Sequence, residues 1–124
     1  MRKVAVINCG MTKVDKHWKK SLRELFGEAA KAALNDARVP GLDALIVGNM
    51  CGSDLSDQNN IGALLADYMG LTPSMAYRVE AACGSGGAAI LAAYSAVSSG
   101  MYNIVMTGGV EKLSDGIGGK TTLS

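Results

Sequence analysis

The sequence has no surplus of either charge: 12 Lys and Arg face 11 Asp and Glu, a formal net charge of +1 with the single histidine neutral. A protein that grips nucleic acid by neutralising phosphates carries a clear basic excess, so general polyanion binding is excluded. The positive residues cluster between Lys13 and Arg23 and read as solvated surface. Long apolar runs are also missing. The longest, Ala88 to Tyr94, falls far short of the ~18 residues that a membrane span needs. No secretory h-region is present either, because Val4 to Ile7 behind Met1-Arg2-Lys3 is ended at once by Asn8 and Cys9. The three cysteines, Cys9, Cys51 and Cys83, are odd in number and show no C-x-x-C spacing. That argues against a disulfide framework or a zinc site and for a reducing cytoplasm, where a cysteine acts as a thiol. No internal repeat is evident.

Glycine, by contrast, is abundant, at 16 of 124 residues where about 7% is usual. Hydrophobic residues reach 48%, which excludes disorder. The length suits one domain, residues 1–124, able to bury a single core. Lys3 to Asn8 is a short β-branched run that predicts a buried strand. Ser21-Leu22-Arg23-Glu24 matches a capping box, and Leu22, Leu25, Phe26, Ala29, Ala30, Ala33 and Leu34 recur at helical spacing, predicting a helix over 22–38 stopped by Pro40-Gly41.

Leu42 to Gly48 predicts a second buried strand, and Asn49 to Asp57 a loop. Ile61 to Met69 follows as an amphipathic helix, with Gly70 at the place of a left-handed cap. Met75, Tyr77 and Val79 alternate with Ala76, Arg78 and Glu80, so the strand from Ser74 to Glu80 has one polar face and suits a sheet edge. Asn103 to Thr107, closed by Gly108-Gly109, is a fourth. Alternating strands and helices imply a mostly parallel sheet with right-handed crossovers.

Between the third and fourth strands, Ala88 to Val97 carries no charge on any face. A helix apolar all round is buried all round, which places Leu91 and Tyr94 among the most buried residues. A chain this small hardly surrounds such a helix, so part of its cover is expected from a second domain or another subunit. Lys112 to Ser124 has no periodicity and is expected to open a loop region, with the chain stopping at a fragment boundary.

Cys83 stands between the third strand and this helix, in Val79-Glu80-Ala81-Ala82-Cys83-Gly84-Ser85-Gly86-Gly87. A thiol there faces free N–H groups and the positive end of a helix dipole, which favour thiolate. The glycines let a substrate approach the backbone, and the Cys83 N–H is placed to donate to an oxyanion at an attacked carbonyl. Inert packing of a cysteine explains the position equally well at this point.

With Ala88-Ala89 added, and with Met106-Thr107-Gly108-Gly109-Val110-Glu111-Lys112-Leu113-Ser114 downstream, the segment resembles the thiolase family, especially its archaeal and sterol-carrier-type branch. Gly48-Asn49 and Gln58-Asn59 also resemble that family's loop after its second strand. The resemblance runs over almost the whole chain and implies an α/β fold, a thiolase-like N-terminal βαβαβαβ half with a mostly parallel sheet and a buried nucleophile helix. It implies that Cys83 accepts an acyl group from acyl-CoA and passes it to the carbanion of acetyl-CoA, giving a 3-ketoacyl-CoA, or the reverse. Coenzyme A then enters as part of the substrate, with no separate cofactor and no metal. A homo-oligomer, dimer or tetramer, is implied, with the third strand at the two-fold. The activating histidine and second cysteine of thiolases have no counterpart in this chain, which should therefore complete no turnover alone.

Other candidates are weaker. His17, beside Asp15 and Trp18, reads as solvated; Cys9 and Cys51 lack a helix-start context; Glu80 suits a surface or capping role, or a dimer contact. Gly84 to Ala89 fits G-x-G-x-x-A, with Glu111 about twenty residues on, but a dinucleotide loop normally follows a buried strand in the first βα unit. Gly119-Lys120-Thr121 lacks the first glycine of a P-loop. Ketoacyl synthases and hydroxymethylglutaryl-CoA synthases remain alternatives on the same fold, as does a non-catalytic folding or assembly piece.

Overall fold

A computed structural model describes residues 1–71 and 75–116. Three parallel strands, β1 (Ala44–Gly48), β2 (Met75–Val79) and β3 (Val105–Gly109), lie in the order β2-β1-β3. The register sets Gly48 level with Val79 on one side and with Gly109 on the other, so all three strands end at one edge of the sheet. Helix α1 (Leu22–Leu34) precedes β1, α2 (Gly52–Ser56) and α3 (Ile61–Tyr68) lie between β1 and β2, and α4 (Ser85–Ser98) lies between β2 and β3. None is long and apolar enough among the described residues to cross a membrane.

All five residues of β1 are buried, as a central strand covered on both faces requires. Leu45 and Val47 point to one side, into a cluster with Leu22, Phe26 and Ala30 of α1 and Ile61, Leu65 and Ala66 of α3. Ile46 points to the other, against Ala89 and Ala93 of α4. The result is three layers with the sheet in the middle. Close approach of α3 depends on Gly62, where an added Cβ would lie 2.6 Å from the Tyr77 backbone.

The capping box forms as the sequence predicts: the Glu24 N–H donates to Ser21 Oγ, and the Ser21 N–H to the Glu24 carboxylate. Helix α1 ends at Leu34, short of Arg38, which takes a left-handed φ of 47° in the turn toward Pro40. Gly70 adopts φ 68° after α3, the left-handed cap its position suggested. β2 is an edge strand with Met75 and Tyr77 exposed. Ser74 lies outside the described residues, as do Gly119-Lys120-Thr121 and the end of the loop over 112–124. The basic segment pairs locally: Lys13 binds Asp15, Lys20 binds Glu28, and Arg23 lies over the Tyr68 ring.

Three expectations need correction. Residues 3–8 form no strand, and Val6 and Ile7 are 91% and 63% exposed. A β-branched run favours an extended backbone, but a strand exists only where its N–H and C=O groups bond a neighbour, and residues 3–8 join neither outer edge of the β2-β1-β3 sheet. The segment is fastened instead through Arg2. Its N–H donates to Ser98 O and its guanidinium to Val97 O, Tyr102 O and Asn103 Oδ1. Second, Leu91 and Tyr94 are 65% and 47% exposed. Ala89, Ala93 and Ala96 face the sheet, and at about 100° per residue Leu91 and Tyr94 fall on the far side of α4. Third, the expected loop over 49–57 contains α2.

Candidate active site

Because the strands are parallel and end together, the segments that follow them gather at one edge of the sheet. There Val79 leads through Glu80 and Ala81 into a 3₁₀ turn, Ala82–Gly84, and α4 starts at Ser85. Ala82 has φ 48°, a left-handed conformation that costs a residue with a Cβ about 1–2 kcal/mol. The chain therefore turns sharply just before Cys83, which is exposed as a free thiol ahead of α4. Nothing lies within 4 Å of a Cβ placed at Gly84, Gly86 or Gly87, so the face beside the thiol is open.

The sheet holds this turn from below. A Cβ at Gly48 would sit 2.4 Å from the Ser85 carbonyl oxygen and 2.8 Å from the Gly86 nitrogen. Only glycine at the end of β1 lets the start of α4 seat directly on the strand. Above it, the Ser85 hydroxyl accepts the Ala81 N–H at 2.9 Å and donates to the Ala82 carbonyl at 2.7 Å. The Ala82 N–H donates to Glu80 Oε1. Glu80 thus accepts the first N–H of this 3₁₀ turn.

Beside the turn, Asn49 is fully buried and fully engaged. Its Nδ2 donates to Val110 O and Glu111 Oε1, its Oδ1 accepts from Gly52 N–H and Arg78 Nη1, and its N–H donates to Val79 O. Glu111 also accepts the N–H groups of Met50 and Cys51. These bonds tie the ends of all three strands together.

Cys51 is buried in this cluster, and its thiol is pushed above the ordinary range by burial first and then by the negative groups nearby, Glu111 foremost. Cys9 is exposed in the N-terminal segment. His17 bonds Lys13 O at 2.7 Å and lines a cavity of about 250 Å³ with Asp15, Phe26 and Glu111; Cys83 does not border it. Ser85 and the Asn49–Glu111 pair carry no signal in the sequence that marks them as a unit. Sixty-two residues separate Asn49 from Glu111, and only strand register brings them together.

The structure thus presents a thiol on a sharp turn at the start of a helix, above a parallel α/β sheet, and comparison with known proteins places the chain. The sequence matches the family described as thiolase, N-terminal domain, over residues 4–122. The acetyl-CoA acetyltransferase of Methanothermobacter thermautotrophicus is 47% identical over 93% of this chain and 30% of its own length. That of Methanocaldococcus jannaschii is 40% identical over 100% of this chain and 32% of its own length. A crystal structure of 3-oxoacyl-[acyl-carrier-protein] synthase III from Aquifex aeolicus VF5 shares the fold with a TM-score of 0.68, at 23% identity over 85% of this chain and 35% of that one.

The chain belongs to the thiolase family. It spans about a third of the length of the acetyltransferases it matches. The dinucleotide reading loses its physical basis, since the strand before Gly84 lies at the sheet edge.

Proposed function

We propose that this chain is the nucleophile-bearing part of an acyl-CoA thiolase, an acetyl-CoA C-acetyltransferase, with Cys83 as the acyl acceptor. The Cys83 sulfur attacks the thioester carbonyl of an acyl-CoA, a new C–S bond forms, the bond to coenzyme A breaks, and the proton given up by the Cys83 thiol ends on the departing sulfur, so that coenzyme A leaves as the thiol. Acetyl-CoA then gives its α-proton to a base that the resemblance places outside these residues, the resulting carbanion attacks the acyl-enzyme, the Cys83–acyl bond breaks with a proton returning to the Cys83 sulfur, and a 3-ketoacyl-CoA leaves; thiolysis is the reverse. During either attack the Cys83 N–H is the donor for the developing oxyanion. Coenzyme A is part of the substrate, and no other cofactor enters.

The observation that carries this reading is the exposed Cys83 on a strained turn whose glycine face is open to a bulky thioester. The likeness to the archaeal acetyltransferases supports the substrate class. The proposal extends to a cytoplasmic protein that self-associates along the exposed edge of β2.

Incubation with iodoacetamide, and separately with acetyl-CoA, followed by peptide mass measurement tests it. Fast labelling and acetylation at Cys83, with Cys9 and Cys51 slow, is the expected result. Equal labelling of Cys83 and Cys9 with no acetyl adduct would remove Cys83 as the acceptor.

A further inference from the structure

We propose that Ser85 is a positioning residue for Cys83, acting by fixing Ala82 in the left-handed conformation that brings the thiol to the front of α4. The inference rests on the reading of Cys83 as the acyl acceptor. Ala82 has φ 48° and lies immediately before that cysteine. An alanine leaves this conformation unless its surroundings hold it there, and strained residues of this kind mark places where geometry serves a task.

Both peptide planes flanking Ala82 are held. Its N–H donates to Glu80 Oε1, and its carbonyl accepts the Ser85 hydroxyl proton at 2.7 Å. Fixing the two planes fixes both soft dihedrals between them. The same Ser85 oxygen accepts the Ala81 N–H at 2.9 Å. One hydroxyl therefore acts as donor and acceptor at once, which its chemistry allows without conflict.

Ser85 is also the first residue of α4, where the preceding Gly84 offers no side-chain cap. Its hydroxyl turns back to the bend and not onward to the helix. The residue itself is 5% exposed and is wedged against Gly48, so the hydroxyl has little freedom to move away. Sequence distance matters too: Ser85 is two residues from Cys83, and any relaxation of Ala82 swings the thiol directly.

The test is the rate of iodoacetamide labelling of Cys83 relative to that of Cys9, each followed by peptide mass measurement in the full chain. In the unsubstituted chain Cys83 is expected to be the faster. Ser85→Ala, which keeps the size and favours helix, should lower the ratio by about fivefold to tenfold, the loss of one to two net hydrogen bonds. Adding Ala82→Gly to Ser85→Ala should recover part of the ratio, because glycine enters the left-handed region without the steric cost that Ala82 carries. Ala82→Gly alone should leave the ratio near its original value.

An unchanged ratio in Ser85→Ala overturns the inference and leaves Cys83 as the acceptor. A fall that Ala82→Gly does not lessen also overturns it, since the hydroxyl then supports the fold in general and not this turn. A ratio near one in the unsubstituted chain overturns the acyl-acceptor reading itself.

Discussion

Asn49 Nδ2 lies 2.7 Å from Glu111 Oε1, joining the end of the central strand to the segment after β3 across sixty-two residues of sequence. The same carboxylate accepts the backbone N–H groups of Met50 at 2.8 Å and Cys51 at 3.1 Å. One charged group thus satisfies three donors at the edge of the sheet where Cys83 stands.

Glu111→Gln should therefore be costly in spite of its size. The amide offers one acceptor oxygen and turns its NH₂ toward donors that need an acceptor. Bonds to a charged group contribute about 1.5–3 kcal/mol each, so a loss of about 2–3 kcal/mol is expected in urea denaturation. A midpoint matching the parent would show that the clasp does not support the fold.

Gly48→Ala should lift the start of α4. The added Cβ would meet backbone atoms at 2.4–2.8 Å, which no side-chain rotation relieves, and overpacking of this kind costs about 1–3 kcal/mol. Cys83 labelling should slow together with the loss of stability. Unaltered melting and labelling would mean that the strand end and helix start are not in contact.

The raised ionisation of Cys51 has a consequence at high pH. Its thiol is held above the ordinary range, by burial and then by Glu111, whereas in the unfolded chain it ionises near about 8.5. Its contribution is intact below that value and lost as pH rises through the folded value. The denaturation midpoint should drop between neutral and strongly alkaline pH by more in the parent than in Cys51→Ala. Equal drops would exclude Cys51 as a source of the alkaline loss.

Asp43 works in the opposite direction. Its carboxylate accepts the Ile104 N–H and the Asn103 N–H, which hold it below its usual range. A depressed folded value contributes stability above the unfolded value of about 3.9, and this is lost as pH falls. Asp43→Asn should melt a few degrees lower than the parent near neutrality, with the gap closing in acid. A gap that persists at pH 2 would point to packing and not to the charge.

Self-association along β2 can be tested at Met75, 54% exposed on the sheet edge. Sedimentation of the parent at micromolar concentration should show a dimer or larger species, and Met75→Lys, which places charge on the edge, should shift it to monomer. A parent that sediments as a strict monomer would remove the idea for this chain.

What the sequence determined is local in origin. The capping box at Ser21, the left-handed cap at Gly70, the positions of β1, β2 and β3, and Cys83 at the start of a helix each follow from residues within a few positions of one another. The apolar character of Ala88 to Val97 was equally legible, but the side that meets the sheet was not, because a uniformly apolar helix carries no phase. Leu91 and Tyr94 consequently fall opposite Ala89 and Ala93.

Only the tertiary structure decided which strands pair and what their ends bring together. Residues 3–8 have the composition of a strand but do not join the sheet, and no local pattern records whether a segment will pair with a sheet edge. Asn49 meets Glu111 because parallel register sets Gly48 level with Gly109. Ser85 reaches back to Ala82 because Gly48 lets α4 seat on the sheet at that point. Pairing and close approach depend on groups far apart along the chain, so their physical cause lies in register and packing.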